Sequence, residues 1–226
     1  DQSRIDIWKG YYDTLQKYNP GAYCILEHFA ENSEEKVLSD YGMMLWGNLN
    51  YNYNQASMGW STDWNFDGGL ANVRGWSSPN LITYMESHDE ERMMYKNLLY
   101  GNSTPTYNIK VLDTALQRQA LAAAFFFTLP GPKMIWQFGE LGYEYSINYC
   151  QNGTVDNNCR TDPKPIRWDY YQDERRLKLF KVYSNLIHLR RNPAFIEAFT
   201  SNASEQNFSG SFKWLKLNSS AGKLVV

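Results

Sequence analysis

The chain has 226 residues, enough for one substantial core or for one core and the start of a second. Its 22 Lys and Arg balance 24 Asp and Glu at a net charge of -2, so no basic footprint points to nucleic acid. The longest apolar run, Ala120 to Leu129, is far short of the ~20 residues of a membrane span. Aromatic residues make up 16%; they fill cores, and they also stack on sugar rings.

In chain order the pattern alternates helix and strand. Ile5, Trp8, Tyr12 and Leu15 fall at helical spacing, with Ser3 as N-cap and Asn19-Pro20-Gly21 as the stop. Tyr23 to Phe29 is a nearly continuous apolar run, which predicts a strand buried on both faces. A helix over Ser33–Tyr41 opens on an imperfect capping box. A strand is predicted over Met43–Trp46, then a helix over Asn48–Met58 and a turn-rich stretch from Gly59 to Pro79.

Leu81–Met85 reads as a third strand, closing on Glu86-Ser87-His88-Asp89, and a polar helix follows over Glu90–Tyr100. The longest helix is predicted over Val111–Leu129, stopped by Pro130-Gly131-Pro132. Met134–Phe138 is the fourth strand, ending at Gly139-Glu140, and an amphipathic helix spans Asp173–Arg191. Beyond Pro193 the chain turns to Ser, Asn and Gly, with strands at Phe212–Leu217 and Lys223–Val226. Helix–strand alternation predicts an α/β fold with a parallel sheet, and four units make half of an eight-fold barrel or a small open sheet. Residues 1–193 form that partial barrel, and 194–226 begin a small antiparallel β domain.

Several chemistries are absent by motif: no G-x-S-x-G, no P-loop, no G-x-G-x-x-G and no H-E-x-x-H. The three histidines, His28, His88 and His188, argue against a multi-histidine metal site, and His188 reads as structural within its helix. Cys24 reads as a buried thiol. Cys150 and Cys159 bracket a polar loop; a disulfide would stiffen it and imply an oxidising compartment, and the alternative is two unpaired thiols. Two carboxylates stand at predicted strand C-termini, Glu27 and Asp89. In parallel folds these termini share one rim, and two acids there suit glycoside cleavage. The plainer alternative is a pair of rim acids bound to helix N-termini or arginines.

Three stretches carry a resemblance. Ile25-Leu26-Glu27-His28-Phe29, Tyr84-Met85-Glu86-Ser87-His88-Asp89, and Pro130-Gly131-Pro132 running to Gly139-Glu140 resemble, in order, motifs of the alpha-amylase family of retaining glycosidases. Ser87 stands where the family usually has Asn, and Leu141 follows Glu140. The resemblance implies strands five to eight of a (β/α)8 barrel, followed by the start of a terminal sandwich. It makes Glu27 the general acid/base, Asp89 the transition-state stabiliser and His88 a sugar ligand. Cys24, Leu26 and Phe29 would give Glu27 an apolar surrounding.

The family's nucleophile is an Asp in Gly-x-Arg-x-Asp. Arg4-Ile5-Asp6 imitates it, but the helical face of Ile5, Trp8, Tyr12 and Leu15 leaves Asp6 on the polar side. The nucleophile and the family's calcium ligands are therefore expected upstream. No cofactor or metal is expected within these residues. The resemblance further implies an alpha-1,4-glucan or malto-oligosaccharide substrate, a secreted, periplasmic or cell-surface bacterial enzyme, and pairing of copies through the exposed half-barrel edges. A related alpha-glucosidase or transglycosylase, or a non-catalytic binding module, are the alternatives. Trp46, Trp60, Trp64, Trp76 and Tyr143 are candidate sugar platforms, with core or loop packing as the other reading.

Overall fold

The chain opens on α1 (Gln2–Tyr18), capped by the side chain of Asp1, which accepts from the Ser3 amide at 2.9 Å. The cap therefore lies two residues before the expected Ser3. The computed structural model describes residues 1–226. After α1 come β1 (Ile25–Leu26), α2 (Asn32–Tyr41), β2 (Met44–Asn48), α3 (Asn50–Met58), β3 (Leu81–Tyr84), α4 (Met93–Tyr100), α5 (Leu112–Thr128) and β4 (Lys133–Met134). α6 (Glu174–Arg191), α7 (Ile196–Thr200), β5 (Glu205–Asn207), β6 (Trp214–Ser219) and β7 (Gly222–Val225) complete the order.

The first four strands form one parallel sheet in the order β1-β2-β3-β4, and the last three form an antiparallel sheet. This is the expected partial barrel followed by a small β unit. Helices α2 and α3 end on Gly42 (φ 119°) and Gly59 (φ 80°), whose left-handed backbone turns the chain away.

Side-chain alternation divides the sheet into two unlike faces. Leu26, Leu45 and Leu81 lie in register on one face and join Ile5, Leu38 and Met43 in a core roofed by α1 and α2. The other face carries Ile25, Met44 and Trp46, none of them fully buried, and on β3 the buried Ile82 and Tyr84. The expected strand over Tyr23–Phe29 contracts to two paired residues, and Tyr23, Ile25 and Phe29 are exposed by 77%, 51% and 59%. Its apolar run marks an edge strand with one neighbour and one uncovered face, not a strand buried on both. The strand expected over Met134–Phe138 likewise shrinks to Lys133–Met134, and Phe138 at φ 61° turns the chain out of extension.

Two helices start later than their sequence pattern. The Asn48 side chain accepts from the Asn50 amide at 2.9 Å, so α3 begins at Asn50. Residues 90–92 stay outside α4 because they belong to the loop that follows β3. Neither α7 nor β5 has a separate signal in the sequence.

The larger core spans both sheets. Leu49, Tyr53, Phe66, Met85, Phe126 and Phe127 pack with Phe199, Phe208, Leu215 and Leu217 of the C-terminal segment. Phe208 meets Phe66 and Phe125 at ring separations of 5.5 and 6.1 Å. Arg190 ties α6 to the end of α5 by donating to the carbonyls of Phe127, Leu129 and Gly131 at 2.6 to 2.9 Å. Because the antiparallel sheet closes this core, Phe208→Ala is expected to cost about 3–5 kcal/mol. Chemical denaturation should show a single transition moved to lower denaturant; an unmoved main transition would separate the two units energetically.

Candidate active site

Parallel strands place their C-terminal ends on one rim. Glu27 follows β1, Asn48 closes β2, His88 and Asp89 lie beyond β3, and Trp136 lies beyond β4. Leu26 points into the covered core, so alternation turns Glu27 to the open face with Ile25. The structure brings the three expected residues together. His88 Nε2 lies 3.9 Å from Glu27 Oε1 and 3.6 Å from Asp89 Oδ2. One polar atom of each of the three falls within 4.8 Å of the others. Their side chains are 44%, 44% and 52% exposed for Glu27, His88 and Asp89. Two carboxylates and an imidazole could also hold a cation, but Asp89 already has a positive partner. Arg160 donates to its Oδ1 at 3.1 Å and to its backbone carbonyl.

Aromatic rings flank the imidazole. Trp46 lies 5.8 Å from His88 and 5.4 Å from Tyr84, both edge-on, and Trp136 lies 6.1 Å from His88. Trp46 also walls a cleft of about 430 Å³ with Phe29, Asn48, Gly68 and Arg74. Of the five candidate platforms only Trp46 reaches the trio. Trp60 is tied through its Nε1 to the Tyr100 carbonyl, Trp64 lies under Lys213, and Trp76 and Tyr143 are buried. Asp6 is exposed on α1 and accepts from Gln2 at 2.7 Å, so it takes no part in the trio. His188 lies on α6 against a separate cavity of about 420 Å³ with Trp136 and Glu140.

The apolar surrounding expected for Glu27 is not formed. Leu26 belongs to the opposite face, and Phe29 is 59% exposed. The stretch after Glu27 is instead held by ions. Glu34, buried on α2, accepts from Arg4 at 2.9 Å and bonds His28 Nε2 at 2.9 Å. Arg4 above all holds the Glu34 carboxyl well below the usual carboxylate range. Glu35 accepts from the Ala30 amide at 3.1 Å and pairs with Arg74.

The loop beyond β3 is more elaborate. Glu86 is 4% exposed and accepts from the Met93 amide at 2.7 Å, at the start of α4. Arg92, equally buried, donates to the carbonyls of Ser87 and Glu90. Ser87, the residue in place of the family's Asn, accepts from the Asp89 amide at 3.1 Å and donates to Glu90. Glu91 accepts from Ser146 Oγ at 2.6 Å and from the Ile147 amide at 2.9 Å, which binds this loop to the one after β4. That second loop contains a disulfide between Cys150 and Cys159. Sequence reasoning missed Glu86, Arg92 and Arg160. Arg160 lies 71 residues from Asp89, with no local pattern to signal the contact.

No protein-family model matches the sequence, and no curated protein matches it. Among solved structures, a cyclomaltodextrinase matches over 98% of this chain and 34% of its own, at 18% identity and a TM-score of 0.60. A cyclic alpha-maltosyl-(1→6)-maltose hydrolase from Arthrobacter globiformis, in complex with maltose, matches over 98% of this chain and 44% of its own, at 14% identity and a TM-score of 0.55. The chain thus spans less than half the length of the structures it matches, and the likeness is one of fold. It agrees with the fold that the resemblance of the three motifs implies: a parallel sheet with helices, part of a barrel, with a small antiparallel β unit attached.

Burial pushes the Glu86 carboxyl up from 4.5 to about 6, against the opposing pull of Arg92 and the Met93 amide, with Glu140 and Glu91 adding smaller upward pushes. A raised value means that the fold favours the protonated form. Its contribution is complete below the unfolded value and is lost as pH rises through about 6. Glu86→Gln stays neutral and can still accept from Met93. It is expected to be more stable than the parent at pH 8 by about 2 kcal/mol, with little difference at pH 4.5. Melting temperatures of the two proteins across pH 4.5–8 test the sign.

Proposed function

We propose that residues 1–226 supply part of the active centre of a retaining glycoside hydrolase of the alpha-amylase type, acting on alpha-1,4-glucosidic bonds in starch or malto-oligosaccharides. The observation that carries this reading is the convergence of Glu27, His88 and Asp89 at one rim, from strand ends that are 62 residues apart in sequence between Glu27 and Asp89. The names of the matched structures, one of them with maltose bound, support an oligosaccharide substrate.

In this reading the two acids divide the work through their partners. Asp89 accepts from Arg160, which orients its carboxylate to face an oxocarbenium-like ring. Glu27 makes no hydrogen bond, with the His88 imidazole at 3.9 Å and the Asp89 carboxylate within 4.8 Å, and in this reading it is the acid that hands a proton to the leaving oxygen. His88, between Trp46 and Trp136, donates to a sugar hydroxyl, and the Trp46 ring offers a flat apolar wall to the neighbouring glucose. Retention further requires a nucleophile on the opposite side of the sugar ring. Within 4.8 Å no third carboxylate joins the trio, and in this reading that group comes from outside residues 1–226. The family's calcium ligands are placed outside it as well. The disulfide supports a secreted, periplasmic or cell-surface setting. A transglycosylase or another alpha-glucosidase would use the same groups.

Three outcomes are expected. The 226-residue chain binds maltotriose by calorimetry, and Trp46→Ala weakens that binding about tenfold. The chain alone releases no reducing sugar from malto-oligosaccharides; measurable release would overturn the external nucleophile. In the longer protein that carries these residues, Glu27→Gln lowers kcat by about 10²–10⁴ and leaves KM little changed. Binding of maltotriose with undiminished turnover in that variant would favour a binding module over a catalytic one. The uncovered edges of β1 and β4 also support pairing of two copies. Sedimentation velocity should then show a dimer growing with concentration, and a monomer at every concentration would count against it.

A further inference from the structure

Arg160 follows Cys159 directly, and its guanidinium sits on Asp89. The loop that delivers it has almost no buried surface: residues 151–158 are all exposed, and of the loop's two ends only Cys150 is fully buried. Apolar burial therefore does not hold this segment. What remains are hydrogen bonds exposed to water: the Cys150 amide to the Thr154 carbonyl at 2.8 Å, the Asp156 amide to the Asn148 carbonyl at 2.9 Å, Asn148 Nδ2 to Asn157 Oδ1 at 2.9 Å, and single-turn bonds from the amides of Gly153, Cys159, Arg160 and Asp162 at 2.9 to 3.4 Å. Lys164 adds contacts to the carbonyls of Tyr149 and Cys159. The single covalent tie is the disulfide, which joins the returning end of the loop to the buried start.

We infer that the Cys150–Cys159 disulfide is a positioning tether: it sets Arg160 on Asp89, and its reduction by a dithiol releases that contact. Cys159 is the less buried of the two residues. A dithiol thiolate attacks Cys159 Sγ, the S–S bond breaks, and Cys150 leaves as a thiolate that takes up a proton. The second thiol of the reagent then attacks the mixed disulfide and closes a ring. The reagent is oxidised to its cyclic disulfide, and Cys159 leaves as a thiolate and is protonated. Once open, the loop has its exposed hydrogen bonds alone to hold Arg160 in place. Asp89 then faces solvent without its cation. Release of Arg160 follows from the loop itself; the consequence for sugar binding rests on the function proposed above.

Arg160 and Thr161 form a tryptic site, which makes the contact measurable without any sugar. The oxidised chain, the chain reduced with dithiothreitol, and the Cys150→Ser/Cys159→Ser variant are exposed to trypsin at one pH, and cleavage after Arg160 and after Arg191 is followed by mass spectrometry. Reduction and the double variant are expected to speed cleavage after Arg160 about tenfold and to leave Arg191 unchanged. Asp89→Asn should speed cleavage after Arg160 in the oxidised chain. Equal rates in the two redox states would overturn the tether. Equal acceleration at both sites would overturn it too, because the disulfide would then act on the whole fold. In parallel, reduction should weaken maltotriose binding about tenfold, and Arg160→Ala should remove that dependence. If neither redox state binds maltotriose while the tryptic difference appears, the sugar-site reading fails and the tether stands.

Discussion

The position of His88 and Asp89 depends on one buried cation. β3 is buried at all four of its positions, and the chain must leave it without baring its own carbonyls. Arg92 answers this by donating to Ser87 and Glu90 from a side chain that is itself 4% exposed. Glu86 lies within electrostatic reach of this guanidinium, but burial outweighs the pull of Arg92 and leaves the carboxyl raised to about 6. Glu86 in turn takes the first amide of α4. Strand end, loop and helix start are thus closed into one unit, with His88 and Asp89 as its outward residues. Hydrogen bonds made inside the loop by Ser87 and Glu90 leave those two side chains free of structural duties within it.

The trio is asymmetric for the same reason. Asp89 has a guanidinium from a distant loop, while Glu27 makes no hydrogen bond and has an imidazole nitrogen at 3.9 Å. Two acids within one sugar's reach can serve different roles only if their surroundings differ. Here the difference comes from Arg160, on the loop that follows the last strand of the parallel sheet, and from the open face on which Glu27 stands. Trp46 and Trp136 keep the imidazole between them.

What the sequence disclosed follows from how local each signal is. Glu27, His88 and Asp89 stand at the ends of apolar runs, and order along the chain was enough to put them on one rim. The helices α1, α5 and α6 were legible from period and stop signals within a residue or two. Strand extent was not, because apolar runs such as Tyr23–Phe29 report low polarity and say nothing of neighbours. The environment of Glu27 was misjudged by the same logic: residues adjacent in sequence point to opposite faces, so Leu26 cannot shield Glu27. Glu86, Arg92 and Arg160 were invisible because charged residues in loops look alike until a fold supplies their partners. The shared core of the two sheets was hidden as well, since Phe208 meets Phe66 across more than half the chain.

The half-exposure of the trio sets a condition on any chemistry there. Charges at 44–52% exposure are screened by water, and electrostatic support of a transition state needs water removed. The sheet cannot remove it alone, because the face that bears Glu27 also bears exposed Ile25 and half-exposed Trp46. That face is a wall of a cleft: apolar enough to repay being covered, and polar at the one place where a reacting bond would lie. Under the function proposed above, a sugar laid on Trp46 would cover part of it, and a facing protein wall would have to cover the remainder for Asp89 to act on a developing cation. The acids at the rim and the exposure around them therefore have the same origin, the bare β1–β2 part of one sheet face, beside the buried Ile82 and Tyr84 of β3.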